Sequence, residues 1–354
     1  MRLPHWAWLA AGLLCGCSAS PTESSSGSPG PAPAVHVQGN HLVDSAGRVV
    51  RLRGVNRSGT EYACAQGWGF FDGPSDSASV AAIASWKANA VRVPLNESCW
   101  LAINGVKPAY SGDNYSRVIS DYVRLLNRAG LIVILDLHWS APDTVVALRQ
   151  APMPDRDHTP EFWREVAAAF GSNNRVIFDL FNEPFPDSNR DTPEAWRCWR
   201  EGGTCAGMGY QAAGMQELVT AVRGAGATNV IMVGGVQYAA GLSSWLAFKP
   251  SDPLNNIAAS WHVYNFSWCN TQACWDGNAA PVALQVPLVL GELGQNDHGS
   301  AFVTALMDWM DARPGGSGYL GWSWDVWGDP LDLISSYDGT PTTYGQTFKS
   351  RFSR

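Results

Sequence analysis

Two glutamates stand where a carboxyl group can do chemistry. Glu183 sits in Asn182-Glu183-Pro184, after the apolar run 176–181, and Glu292 sits in LGELG (290–294), after the run 287–290. Cleaving a glycosidic bond takes one carboxylic acid to protonate the leaving oxygen and a second carboxylate across the anomeric carbon. Read alone, Glu183 also fits a helix cap or surface acid, because Pro184 can begin a turn. Other polar and aromatic residues hold comparable positions. Arg92 lies in the run 90–95, His138-Trp139 follow 131–137, and His262-Val263-Tyr264 close 257–262. Trp322 and Trp324 lie in 319–324. Six such positions, from different runs, are hard to explain as separate solvated loop residues.

The elements that must carry these residues follow from periodicity. Short apolar runs recur at 49–56, 90–95, 131–137, 176–181, 229–234, 257–262, 287–290 and 319–324. Most are too continuous in hydrophobicity for a sheet with one wet face, which suits parallel strands covered on both sides. Between them, 77–88, 115–129, 159–170, 210–225 and 299–311 repeat apolar residues at helical spacing, and 343–351 reads as an eighth helix. Eight strands alternating with helices predict a (β/α)₈ TIM barrel, whose sites gather at the C-terminal ends of the strands. A doubly wound sheet is the rival, weakened because no Gly-rich phosphate loop follows the first strand. Residues 35–53 alternate around Gly39-Asn40 and predict a small N-terminal β-hairpin.

With these elements laid out, the chain resembles glycoside hydrolase family 5, the cellulase family, over residues 35–353. The resemblance rests on LRGVN (52–56), VRVP (91–94), ILDLHW (134–139), IFDLFNEP (177–184), WHVYN (261–265), LGELG (290–294) and GWSWD (321–325). It implies a retaining double displacement with Glu183 as acid/base and Glu292 as nucleophile. By the same resemblance Asn182 bonds the sugar 2-hydroxyl, and Arg92 and Tyr264 hold the nucleophile. His138 and His262 match hydroxyl ligands near both glutamates, and Trp322 matches the platform under the cleaved sugar. Trp324 is a second candidate for that platform or an inward core residue. Trp68, Trp139 and Trp199 lie on loops where they could stack further sugars or pack beneath the loops. The expected activity is endo-β-1,4-glucanase. β-Mannanase and other β-glycanases or exo-glycosidases of the family share every one of these residues, so the sequence does not separate them. A non-catalytic carbohydrate-binding barrel is disfavoured because both glutamates and their supporting groups are present.

Composition bounds the rest. The chain has 354 residues, 45% hydrophobic and 16% charged, with net charge −7, which argues against nucleic acid or an anionic membrane surface as partner. Seventeen Trp are available for core or cleft. Residues 1–17 read as an export signal ending in Leu14-Cys15-Gly16-Cys17, with Cys17 as the lipidated first residue of a bacterial envelope lipoprotein. The alternative is an ordinary signal peptide and a secreted, unanchored enzyme. Residues 18–34 are a Ser/Pro/Gly-rich tether and 35–354 the catalytic domain. Of eight Cys, two lie in the leader; the remaining six are Cys64, Cys99, Cys198, Cys205, Cys269 and Cys274, an even number that suits disulfides in an exported protein. Fifteen pairings are possible. The short spans 198–205 and 269–274 are the simplest choice, leaving 64–99. No C-x₂-C pair is present and His138 and His262 lack metal-type clustering, so no metal or cofactor is expected. The expected partner is a polysaccharide met by a monomer, with a membrane contacted only through the lipid.

Overall fold

The computed structural model describes Met1 and residues 30–354. The rest of the leader, Cys17 and most of the tether lie outside these residues. At the N-terminus, β1 (Val35–Gln38) and β2 (His41–Asp44) form an antiparallel hairpin with Gln38 opposite His41. Gly39 takes φ +61° in the two-residue turn, where glycine is free of the Cβ clash.

Eight parallel strands then close into a barrel: β3 (Leu52–Asn56), β4 (Ala90–Asn96), β5 (Ile132–Trp139), β6 (Val176–Asp179), β9 (Ile231–Gly234), β10 (Ile257–Tyr264), β11 (Leu288–Gly294) and β12 (Gly316–Gly321). Between β6 and β9 the short β7 (Gly202–Thr204) and β8 (Gln211–Ala213) pair antiparallel. The principal outer helices include Ser77–Ser85, Asp113–Arg128, Thr159–Phe170, Met215–Gly224, Ala301–Asp311 and Thr343–Phe352. This is the (β/α)₈ barrel expected from the alternation of apolar runs and amphipathic segments.

The hydrophobic core has two layers. Between strands and helices pack Val55, Val91, Leu135 and Phe178 with Trp86, Trp163 and Trp245. Inside the barrel, Leu52, Ala90, Ile134, Ile177, Met232, Val289 and Leu320 meet Ala32, Val35 and Leu42 from the N-terminal segment. The hairpin therefore seals the barrel at the N-terminal ends of its strands. Hydrogen bonds fix it there: Val35 N donates to Asn174 O at 2.9 Å, and Val37 N to the Asn256 side chain at 2.7 Å. The tether, expected to run to residue 34, is already docked at Ala32, whose N–H donates to Asn127 O and whose carbonyl accepts from Arg175.

Several boundaries differ from expectation. The helix read over 210–225 starts at Met215, because the backbone of Gln211–Ala213 pairs with Gly202–Thr204 instead. The eighth strand ends at Gly321, so Trp322 and Trp324 follow it. The fourth ends at Asp179, so Glu183 stands in the loop beyond, whereas Glu292 lies within β11. The six cysteines form disulfides 64–99, 198–205 and 269–274. Among the described residues no helix is long and apolar enough to cross a membrane.

Candidate active site

At the C-terminal mouth a cavity of about 570 Å³ is lined by His138, Asn182, Glu183, His262, Tyr264, Glu292 and Trp322. The parallel strands bring their ends to this one face, which is why residues nearly two hundred positions apart in the chain meet there.

Beneath the cavity Arg92 is fully buried and all its donor nitrogens are engaged. Nε donates to Asp179 at 3.1 Å, and Nη1 donates to Glu292 Oε1 at 2.7 Å and to Asn56 Oδ1 at 3.1 Å. Nη2 donates to Asn182 Oδ1 at 2.8 Å and lies 3.0 Å from Asp136. The planar fork of guanidinium suits this multiple clamp in a way that the point charge of lysine does not. Accepting from Arg92 through Oδ1 leaves the Asn182 NH₂ group for the cavity it lines. Glu292 gains a second donor on its other oxygen, the Tyr264 hydroxyl at 2.6 Å. Burial, and then the neighbouring Glu292 and Glu183 carboxylates, push that phenol well above its ordinary value, so it stays a donor.

His262 Nδ1 sits between the two glutamates, 3.0 Å from Glu183 Oε1 and 3.6 Å from Glu292 Oε2. Its Nε2 is buried without a partner. The ring proton therefore belongs on Nδ1, where it has acceptors. Burial pushes the imidazole down to about 4, which keeps it neutral at ordinary pH. Burial likewise raises Glu183 above the usual glutamate value, against a hydrogen bond from Gln150. A carboxyl group biased to keep its proton is the form a general acid needs. His138 Nδ1 is 2.6 Å from Asp136, with its ring lowered to about 4, mainly by burial and then by Arg92. Burial lifts Asp136 to about 7 and Asp179 to about 6, with Arg92 opposing both. The Trp322 ring stacks on His138 at 5.7 Å and 15°.

The aromatics divide. Trp68, half-exposed, and Trp139 cluster around Tyr62 with ring centroids 6.0 and 6.3 Å away, and Trp327 joins at 6.2 Å. Of the two readings open for Trp199 and Trp324, sugar stacking or inward packing, the structure gives the second. Trp199 is fully buried, its indole N–H donating to Gly234 O, and Trp324 is fully buried edge-on against Trp86. Neither ring has a face for a ligand. In their place the cavity wall carries Tyr238, Phe266 and Trp268, which sequence reasoning missed. Asp136 and Asp179 were also missed, although charged residues inside apolar runs are a visible signal. Gln150, which lines the cavity beside Glu183, carries no such signal.

Two groups among the described residues bring three metal-type donor atoms within 4.8 Å of one another: Asp155, Asp157 and His158, and Glu183, His262 and Glu292. In the first, Asp155 caps His158 N and Asp157 accepts from Asp143 N. In the second, the His262 atom facing the carboxylates is the protonated Nδ1, so the group is occupied by its own hydrogen bonds.

The chain is similar to several known proteins. A mannan endo-1,4-β-mannosidase of Streptomyces lividans is 26% identical over 327 residues, which cover 87% of this chain and 71% of that protein. A manganese-dependent endoglucanase of Phanerodontia chrysosporium is 28% identical over 60% of this chain and 52% of its own length. Among solved structures, a β-glucanase of Saccharophagus degradans in complex with cellotetraose matches with TM-score 0.68 at 20% identity, over 95% of this chain and 98% of that one. The model of the cellulase family covers residues 43–327, which takes in both glutamates, the Arg92 clamp and every strand of the barrel. The chain belongs to glycosyl hydrolase family 5.

Proposed function

We propose that the chain is a retaining endo-β-1,4-glycanase with Glu292 as nucleophile and Glu183 as acid/base, acting on glucan. One observation carries the mechanism: an oxygen of each glutamate lies within 4.8 Å of the other, with His262 Nδ1 between them. Retaining enzymes hold their carboxyl groups about 5–5.5 Å apart, whereas inverting ones leave about 6.5–9.5 Å for a water molecule. In the first step Glu292 attacks the anomeric carbon as the glycosidic C–O bond breaks, and Glu183 gives its proton to the departing oxygen. In the second, Glu183 takes a proton from water, whose oxygen displaces Glu292. Arg92 and Tyr264 hold the nucleophile in place for both.

Aromatic rings form two groups, Tyr62, Trp68, Trp139 and Trp327 clustered together, and Tyr238, Phe266 and Trp268 lining the cavity that holds both glutamates. An extended flat glucan ribbon can use both, which supports internal cleavage. The Saccharophagus enzyme's cellotetraose complex supports the glucan reading. A second reading, β-mannanase, is supported by the Streptomyces relative. Hydrolysis of carboxymethyl cellulose, barley β-glucan, glucomannan and galactomannan decides between them. Reducing ends and rapid viscosity loss on the glucans are expected; galactomannan activity with none on glucan overturns the substrate while leaving the glutamate roles intact. NMR of the first product should show retained β configuration, and inversion would remove the nucleophile assignment.

We also infer export with a lipid on Cys17. The three disulfides suit an oxidising compartment. Cys17→Ser should release the enzyme from the membrane fraction or block its processing, and unchanged fractionation would leave a plain signal peptide.

A further inference from the structure

We propose that Gln150 is a positioning residue for Glu183, its side-chain amide stabilising the carboxylate and so setting the highest pH at which Glu183 still donates a proton. The inference rests on the acid/base reading of Glu183.

Gln150 comes from the long loop between β5 and the helix Thr159–Phe170, not from a barrel strand. Its Nε2 is 2.9 Å from Glu183 Oε2 and 3.2 Å from the Glu183 main-chain oxygen. Both partners are acceptors, so the amide must present its NH₂ group, which settles its orientation on chemical grounds. The other carboxyl oxygen, Oε1, faces the protonated Nδ1 of His262. Each Glu183 oxygen thus meets a donor, an arrangement made for the anion.

A protonated Glu183 places its hydrogen on one of these oxygens, which weakens that oxygen as an acceptor and favours release of the donor there. His262 is buried on β10 and cannot move away. Gln150 can yield: its NH₂ group carries two hydrogens and keeps the main-chain carbonyl when it releases the carboxyl. The amide therefore lets go as Glu183 takes a proton and re-forms its bond as the proton leaves for the glycosidic oxygen.

Charged and titratable groups facing Glu183 come from four strands: Arg92 on β4, Asp136 and His138 on β5, His262 and Tyr264 on β10, and Glu292 on β11. None changes when Gln150 is replaced. Burial raises Glu183, and Gln150 is the foremost influence in the opposite direction.

The test is the pH dependence of kcat/KM for Gln150→Leu and the isosteric Gln150→Glu. The substrates are two aryl β-glycosides of the preferred disaccharide, one with a phenol and one with a dinitrophenol leaving group. Losing a hydrogen bond to a charged group should move the alkaline limb on the phenyl substrate up by about one pH unit. Gln150→Glu should move it at least as far, since it adds negative charge. The dinitrophenyl substrate, which needs little protonation, should show no such displacement. Gln150→Met serves if the leucine variant fails to fold. Alkaline limbs unchanged in folded variants, with rates merely scaled, would overturn the proposal. A parent alkaline limb that survives in Glu183→Gln would instead remove the acid/base reading, and the inference with it.

Discussion

Glu183 and Glu292 have the same side chain and share one histidine, yet their surroundings fit them for different work. Glu292 lies within a strand and receives Arg92 and Tyr264 on its two oxygens. Glu183 lies on a loop, receives only neutral donors, and burial biases it toward its protonated form. Replacing each with alanine should separate the roles. Glu292→Ala should abolish turnover on every substrate, because no glycosyl-enzyme can form. Glu183→Ala should lose roughly 10²–10⁴-fold on polysaccharide, but much less in forming the intermediate from a dinitrophenyl glycoside, read as a pre-steady-state burst. Equal losses on both substrates for Glu183→Ala would contradict its role.

The strands were readable because each buried run is nearly continuous in apolar residues, and a charge inside such a run is conspicuous. Arg92 stood out for that reason, and Asp136 and Asp179 could have done so. Loops offer no period, so the fate of their aromatics was not legible, and Trp199 was read on a loop although it lies in the helix Pro193–Glu201. Trp199 and Trp324 have the same composition signal as Trp68, and only packing against Gly234 and Trp86 separates the buried pair from the exposed ring. Gln150 was invisible because its role depends on where a loop folds back, not on its neighbours in sequence. Phe266 and Trp268 were hidden in the same way. They precede the Cys269–Cys274 disulfide, Phe266 stacks on Tyr264 at 5.0 Å, and both rings are more than half exposed. Exposed rings beside a cleft are suited to stacking on sugar. Trp268→Ala should raise KM on long oligosaccharides about twofold to thirteenfold, from a stacking contribution of about 0.5–1.5 kcal/mol. An unchanged KM across chain lengths would remove this wall from the binding cleft.

Over the molecule as a whole, buried acids tie stability to pH. Glu61 is almost completely buried in the loop after β3, accepting from Gly59 N at 2.7 Å, and burial pushes it up to about 8. Glu97 is also raised well above its usual value, by burial and then by Asp155. A carboxyl group whose folded pKa exceeds its unfolded one binds more protons when folded, so its stabilisation is complete below about 4.5 and fades as pH rises toward 8. The melting temperature should therefore fall between these limits, and Glu61→Gln should flatten part of that slope in differential scanning fluorimetry. A slope identical to the parent's would show that Glu61 titrates as an ordinary glutamate.

The docked N-terminal segment has a directional consequence. Ala32 and the hairpin close the barrel at the ends of the strands opposite those that carry Glu183 and Glu292. From residue 30 on, the described chain therefore begins at the face behind the cleft. Any surface that holds the protein by that end would have the catalytic mouth turned outward, toward the medium in which a polymer too large to be imported is encountered. Attachment at the C-terminal face would instead press the opening against the support and shade it. Immobilising the enzyme through an N-terminal tag, and separately through a cysteine introduced in the loop that carries Trp268 beside the cleft, should show this as retained polymer hydrolysis for the N-terminal attachment. The Arg354 main-chain oxygen accepts from Arg53 at the start of β3, so a C-terminal tag should behave like the N-terminal one.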